Sequence, residues 1–253
     1  MRISACLITL NEEANLRRCL ESVRPLVEEI LVVDSGSSDA TLAIAAEFGA
    51  RCQHHDWAGY VGQKNFALEQ AEHDWVLSID ADEEISPALA EGIRLVKEIE
   101  DPARLPAGYE VSRLVHYQGQ WIYHGDWFPD VLVRLFRLDR ARFAGGRVHE
   151  RLEVDGSVER LPGYLHHFTY RDRADRAART EKYARLWAES AAEAGKTAGP
   201  LAPASHALAR FLKGYLLKRG FLDGALGFEI AAGNAREVWL KYRELRGLQS
   251  GPD

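Results

Sequence analysis

Cysteine is scarce: the 253 residues hold three, Cys6, Cys19 and Cys52. Their number is odd and no two stand in a C-x-x-C spacing. That argues against a disulfide framework or a zinc knuckle and makes a reducing cytosol the simplest compartment. Long apolar runs are missing too. No stretch approaches the ~18 apolar residues of a membrane span. The opening MRISACLITLNEE has one arginine and a short apolar run that meets Asn-Glu-Glu at once, which is not a signal-peptide pattern. The expectation is a chain that is soluble, or that rests on a membrane without crossing it. Glycine-rich phosphate loops are also lacking. No G-x-G-x-x-G follows the first apolar run, and Gly195-Lys196-Thr197 has Ser190 where a Walker loop needs its first glycine. Lys196 reads instead as part of a helix terminus.

What is present suits a packed domain. Hydrophobic residues make up 46% and charged residues 28%, and a chain of this length buries a sizeable core without staples. The net charge of -6 conceals an asymmetry: residues 1–100 hold 8 Lys and Arg against 19 Asp and Glu, whereas residues 101–253 hold 24 against 19. An acidic half is a poor binder of phosphate backbones unless a cation intervenes, so nucleic acid is not an expected partner.

The first hundred residues alternate strand and helix patterns. Ile3–Leu10, Glu29–Val33, Arg51–His54 and Trp75–Ile79 read as strands, with helices over the stretch after Asn11, over Asp39–Phe48 and over Gln63–Ala71. Asn11 is expected to cap the first helix, with Glu12 and Glu13 in its first turn. This β-α-β-α-β order implies a mostly parallel α/β sheet with right-handed crossovers. From about Tyr109 to Phe168 the chain is rich in aromatics, Val and Gly and reads as antiparallel strands and loops. From Arg173 onward it is helical, interrupted by the linker-like Lys196–Pro203.

Ligands of an open parallel sheet sit at the carboxyl ends of its strands. Three strands here end on polar residues: Thr9-Leu10-Asn11-Glu12, Asp34-Ser35-Gly36 and Asp80-Ala81-Asp82-Glu83. Singly each is an ordinary cap or turn; on one edge together they mark a site. Asp80-Ala81-Asp82 is the sharpest signal, because carboxylates flanking a small residue after a buried strand suit Mg²⁺ or Mn²⁺, whose shell phosphate oxygens and water complete. Such a cation would let an acidic half accept an anionic donor.

The motifs LITLNEEANLRRCLESV, EILVVDSGSSDAT, GQKNFAL and WVLSIDADEEI resemble, in order and spacing, those of family 2 glycosyltransferases of the GT-A fold. WIYHGDWFPDVLVRLFR, ARFAGGRVHERL and FLKGYLLKRGFLDG are similar to a narrower branch, the bacterial lipopolysaccharide inner-core β-1,4-glucosyltransferases that act on heptose. Asp126 departs from that branch, where glycine is expected. The resemblance implies a mostly parallel sheet sandwiched by helices with a C-terminal helical extension. Residues 1–105 would form the nucleotide-sugar-binding half, 106–172 an acceptor- and metal-side region of the same domain, and 173–253 a helical extension with a membrane-facing surface.

It also implies an inverting, metal-dependent transfer of glucose from UDP-glucose to a sugar of a lipid-linked glycan, at the inner face of the cytoplasmic membrane. By position it assigns Thr9 and Glu12 to the nucleoside, Asp34 to the uracil ring, Lys64 to the base and diphosphate, and Asp80 to the ribose. Asp82 and His149 would hold the metal. Transfer further needs a base for the acceptor hydroxyl. Asp130 ranks first, on the expectation that Trp127 and Phe128 dry its surroundings, Glu150 second and Asp126 third; the competing reading for each is an ion pair with an arginine such as Arg134 or Arg151. His166-His167 reads as structural or as a sugar contact. Leu208–Phe221, with Arg210, Lys213, Lys218 and Arg219, reads either as a core-packing helix with a solvated basic face or as a helix lying on an anionic leaflet. The close rival is a glycosyltransferase acting on another lipid-linked or surface saccharide; two others are a nucleotidyltransferase and a non-catalytic nucleotide-sugar-binding module at the membrane. The usual phosphate loop of a nucleotidyltransferase is lacking, and a non-catalytic module would not hydrolyse a UDP-sugar.

Overall fold

The computed structural model describes residues 1–101, 104–145 and 150–250. Two compact units emerge, Met1–Arg113 with Asp130–Phe168, and Leu114–Pro129 with Thr169–Asp253.

The first unit opens with the expected alternation: β1 (Ile3–Thr9), α1 (Leu16–Val23), β2 (Glu29–Asp34), α2 (Thr41–Glu47), β3 (Arg51–His54), α3 (Gly59–Gln70) and β4 (Trp75–Ser78). β5 (Glu83–Ile85), α4 (Pro87–Lys97), β6 (Gly108–Tyr117), β7 (Gln120–Ile122), β8 (Asp130–Arg137), β9 (Ala141–Gly145), β10 (Glu150–Val154) and β11 (Val158–His167) follow. Strand order in the main sheet is β3-β2-β1-β4-β8-β6-β11-β5. The first four are mutually parallel, and β8 pairs antiparallel with both β4 and β6. β9 and β10 form a separate antiparallel hairpin.

Side chains alternate across this sheet. Ile3, Ala5, Leu7, Val32 and Leu77 join Leu16, Leu20, Ile44, Leu89 and Ile93 of α1, α2 and α4 in one core. Cys6, Leu31, Val33, Val76 and Phe136 face the other way, onto Ala67 and Leu68 of α3 and Phe143 of β9. The sheet is therefore sandwiched, as the family resemblance implies. No disulfide forms among the three cysteines; Cys6 and Cys19 are buried and Cys52 is exposed.

One local expectation is corrected. Asn11 does not cap α1: it is left-handed (φ 56), and the helix begins at Leu16 after Asn15. The Glu12 carbonyl takes the N–H groups of Asn15 and Leu16 instead. The Asn11 side chain crosses to the loop after β2, where it accepts from the Ser38 N–H at 2.9 Å, and Glu13 accepts from Ala40 N–H at 2.9 Å. The polar run after β1 thus staples two loops together.

The second unit holds the end of β6, β7, α5 (Arg173–Glu193), α6 (Ala202–Leu212), a five-residue π turn (Lys213–Leu217), a 3₁₀ turn (Gly220–Asp223) and α7 (Gly224–Ser250). Tyr117, Ile122, Leu226 and Ile230 form its core with the partly buried Trp127 and Tyr170. Among the described residues, no helix is long and apolar enough to cross a membrane.

Gly163 of β11 marks where the sheet meets α4 most closely. Its φ is +79°, and a Cβ there would lie 2.9 Å from Ser86 Oγ and collide with the Leu89 backbone nitrogen. Gly163→Ala is expected to cost about 2 kcal/mol or more, read as a lower urea midpoint.

Candidate functional site

Parallel pairing places the ends of β1 and β2 side by side, with Thr9 opposite Asp34. Both are buried, and Thr9 Oγ1 donates to Asp34 Oδ1 at 2.8 Å. Asp34 Oδ2 accepts from the N–H groups of Gly36 and Ser37 at 2.9 and 2.7 Å, and the Ser37 hydroxyl donates to Oδ1. Burial pushes this carboxyl up, but the bonds from Ser37, Thr9 and Gly36 outweigh it and hold it below the usual aspartate range. Four donors fill the lone-pair directions of a carboxylate, so Asp34 fixes its own loop, and a uracil N–H would have to displace one of them. Glu12 lies beside this loop, its N–H donating to Thr41 Oγ1 at 2.8 Å.

α3 begins at Gly59, earlier than its apolar spacing suggests, and buries Gln63 and Lys64. Gln63, unassigned by the sequence, donates through Nε2 to Ser35 Oγ at 2.7 Å and to the His55 carbonyl at 2.8 Å, tying the loops after β2 and β3 to α3. Asn65 exchanges two 2.9 Å hydrogen bonds with the Phe143 backbone and so anchors the β9–β10 hairpin on α3. That anchor brings Glu150, the first residue of β10, within 3.3 Å of Lys64 Nζ. Lys64 also reaches Asp80 Oδ1 at 3.1 Å.

Asp80 sits just past β4, half-buried between two cations. Arg134 of β8 bridges Asp80 Oδ2 (2.8 Å) and Glu83 Oε1 (2.6 Å), and Arg113 of β6 extends from Glu83 (3.4 Å) to Asp130 Oδ2 (2.7 Å). Burial pushes Asp80 up, yet the Arg134 and Lys64 charges hold it well below the usual aspartate range. Glu83 has no exposed side-chain surface, and burial, reinforced by the neighbouring Asp80 charge, raises its carboxyl despite Arg134. Glu83 and Arg113 escaped sequence reading because nothing in their local strings distinguishes them from surface charges. Arg134 and Arg137 lie on opposite faces of β8: Arg134 is buried, and Arg137 pairs with Asp139 at 3.1 Å.

The two carboxylates of Asp80-Ala81-Asp82 have different partners. Asp82 faces the end of β11: its carbonyl accepts from Phe168 N–H at 2.9 Å, and its Oδ2 lies 3.2 Å from His167 Nε2. His167 Nδ1 is buried with no hydrogen-bond partner among the described residues. No donor among the described residues reaches Asp82 Oδ1. Nor is any group of three His, Cys, Asp or Glu among the described residues placed to hold a metal. If a hard divalent cation binds here, Asp82 would be its carboxylate ligand with His167 beside it, and phosphate oxygens and water would fill the shell. His149, the other expected ligand, lies outside the described residues.

Asp130, at the start of β8, accepts from Arg113 on Oδ2, while no donor among the described residues meets Oδ1. Asp126 is a buried structural ion: its side chain is 1% exposed and meets Arg210 at 3.0 Å and Lys218 at 3.3 Å. Trp127 packs against Tyr117, Tyr170 and Arg176 in the core of its own unit. Beside Lys64, Asp80, Arg113, Arg134, Glu150 and Arg151 lies a cleft of about 390 Å³ at the carboxyl edge of the parallel strands, with cations in excess over carboxylates. Such a cleft suits a phosphorylated ligand.

Arg134→Met leaves Asp80 with Lys64 and Glu83 with the more distant Arg113, and is expected to lower stability by about 3 kcal/mol, measured by urea unfolding at neutral pH. Asp80 is depressed in the folded chain, so its contribution is complete above its ordinary value of 3.8 and disappears as pH falls below it. The loss of stability on acidification should accordingly be smaller in Asp80→Asn than in the parent chain.

The glycosyl transferase family 2 model matches residues 4–149. An uncharacterized glycosyltransferase of Rickettsia typhi is 31% identical over 256 residues, covering 98% of this chain and 87% of that one. The lipopolysaccharide core biosynthesis glycosyltransferase LpsC of Rhizobium meliloti is 35% identical over 201 residues, covering 77% and 73%. Among solved structures, S. aureus TarS 1-349 in complex with UDP-GlcNAc aligns over 99% of this chain and 92% of that one, at 16% identity and a TM-score of 0.48. A mixed sheet flanked by helices, with a helical C-terminal region, is the GT-A-like arrangement. The chain belongs to glycosyl transferase family 2.

Proposed function

We propose that the chain transfers glucose from UDP-glucose, with inversion, to a heptose of a lipid-linked glycan such as the lipopolysaccharide core. The observation that carries the donor half is the meeting of Thr9, Asp34, Lys64, Asp80 and Asp82 at the carboxyl ends of β1, β2 and β4 and the adjoining α3, beside a cationic cleft. The name of the Rhizobium relative supports a lipopolysaccharide-core acceptor; glucose and heptose rest on the motif resemblance alone.

The nucleoside lies over Thr9, Glu12 and the loop that Asp34 holds rigid. Asp80, fixed by Lys64 and Arg134, offers a preorganised edge to the ribose. Lys64 and the arginines of the cleft face the diphosphate. Asp82, with His167 or His149 as a second ligand, would hold Mn²⁺ or Mg²⁺, and a cation there would offset the charge that develops on the departing diphosphate. In the transfer, the acceptor oxygen bonds to the anomeric carbon as the bond from that carbon to the diphosphate oxygen breaks. Asp130 takes the hydroxyl proton; Arg113 orients it through one oxygen and leaves the other for the substrate. Glu150 positions Lys64.

Calorimetry with UDP tests the donor half. Affinity should rise with Mn²⁺ or Mg²⁺ and fall with EDTA, and Asp82→Asn should remove most of that gain. Equal affinity in all conditions contradicts a metal-bridged diphosphate. Asp130→Asn should bind UDP almost normally yet lose transfer by a factor on the order of 10² or more. Full transfer by Asp130→Asn, with loss in Glu150→Gln at intact UDP affinity, would reassign the base.

A further inference from the structure

The second unit carries an outward apolar face that no packing within that unit explains. Leu208, Leu212 and Leu216 recur at four-residue spacing along α6 and into the π turn, and Leu217, Phe221 and Leu222 continue the face. Leu217 is 80% exposed and Leu208 60%. Exposed leucines in such number are unusual unless something covers them.

These side chains are held out by a closely packed base. A Cβ on Gly214 would lie 2.7 Å from Asp126 Oδ2, one on Gly220 would lie 2.8 Å from the Gly214 carbonyl oxygen, and one on Gly227 would strike the Gly220 carbonyl. The backbone of the π and 3₁₀ turns is therefore stacked directly on Asp126 and α7. Arg210 and Lys218 reach inward to Asp126. Arg219, left-handed at φ 57, reverses the chain between the two turns.

Charge identifies the cover. Residues 194–228 contain five basic residues, Lys196, Arg210, Lys213, Lys218 and Arg219, against one acidic residue, Asp223. Asp223 is itself turned inward, its side chain 8% exposed and 2.8 Å from His124 Nδ1. Lys213 and Arg219 are exposed among the leucines, with no carboxylate partner among the described residues. Apolar side chains interleaved with unpaired cations, and free of outward acids, complement a surface that is apolar beneath and anionic above.

We propose that the outward face of residues 208–222 docks on a lipid bilayer. Its leucines and Phe221 enter the interface of an anionic leaflet, and Lys213 and Arg219 meet the headgroup phosphates. The proposal deepens the functional reading by naming the surface on which a lipid-linked acceptor would be met, and it rests on that reading only for its purpose.

Sedimentation of the full chain with phosphatidylcholine vesicles, with and without phosphatidylglycerol, tests it. Binding should require phosphatidylglycerol and weaken with salt. The double variant Leu216→Ser, Leu217→Ser should bind at least about tenfold more weakly, and Lys213→Glu should lose most of the gain from phosphatidylglycerol. Leu217→Cys in a Cys52→Ser chain, carrying an environment-sensitive dye, should shift to the blue on anionic vesicles, a readout that does not depend on a variant losing affinity. Failure of the parent chain to bind anionic vesicles, or unchanged binding by the double variant, overturns the proposal. So does self-association that the double variant abolishes, which would make a second copy the cover. UDP affinity in the same preparations should be unchanged in every variant, so a failed vesicle experiment leaves the donor reading standing, and lost UDP affinity in the parent chain leaves the docking surface standing.

Discussion

Arg134 bridging Asp80 and Glu83 is the constraint on which the site depends. Taking these groups out of water is costly, and only close pairing with good geometry offsets that cost. Here the pairing recruits five elements: Asp80 follows β4, Glu83 opens β5, Arg134 comes from β8, Arg113 from β6 and Lys64 from α3. Each member pairs with charges from two other elements, so the network ties the relative positions of all five together. A consequence is that the turn after β4 is rigid. Asp80 is held in place by Lys64 on one oxygen and Arg134 on the other, and Asp82, two residues on, is turned to His167 with one oxygen unclaimed among the described residues. The division of labour between two chemically identical carboxylates is set by their neighbours, not by their own chemistry.

The second unit repeats the device for a different end. Asp126, buried between Arg210 and Lys218, underlies a stack of glycines on which the π and 3₁₀ turns rest. In one unit the buried ion pairs organise polar groups around a cleft. In the other a buried ion leaves apolar side chains facing outward. Both are arrangements in which a stable interior determines what the surface offers.

Much of the first unit was legible in the sequence. Buried runs such as ISACLIT and EILVVD have no solvent-facing alternation, and each ends on a polar residue at one edge, so strand, direction and candidate site follow together. Asn11 misled because its cap-like position serves a tertiary contact with Ser38 that no local pattern reports. Glu83, Arg113 and Gln63 were missed for a related reason: their importance lies in partners 8 to 51 residues away. In the sequence the pair His166-His167 reads as structural or as a sugar contact, because strand register, not spacing along the chain, brings His167 of β11 beside Asp82. The basic stretch Leu208–Phe221 was legible as amphipathic, but which of its cations turn inward was decided by Asp126.

The account stands on the carboxyl edge of β1, β2 and β4 being the nucleotide-sugar site. A crystal structure of the chain with UDP and Mn²⁺ tests that most directly. Nucleotide density over Thr9 and the Asp34 loop, with the diphosphate reaching toward Asp82, is the result the account predicts. Density instead in the cavity at the opposite edge, lined by Met1, Arg2, His73, Trp75 and Arg137, with the carboxyl edge empty, would contradict it.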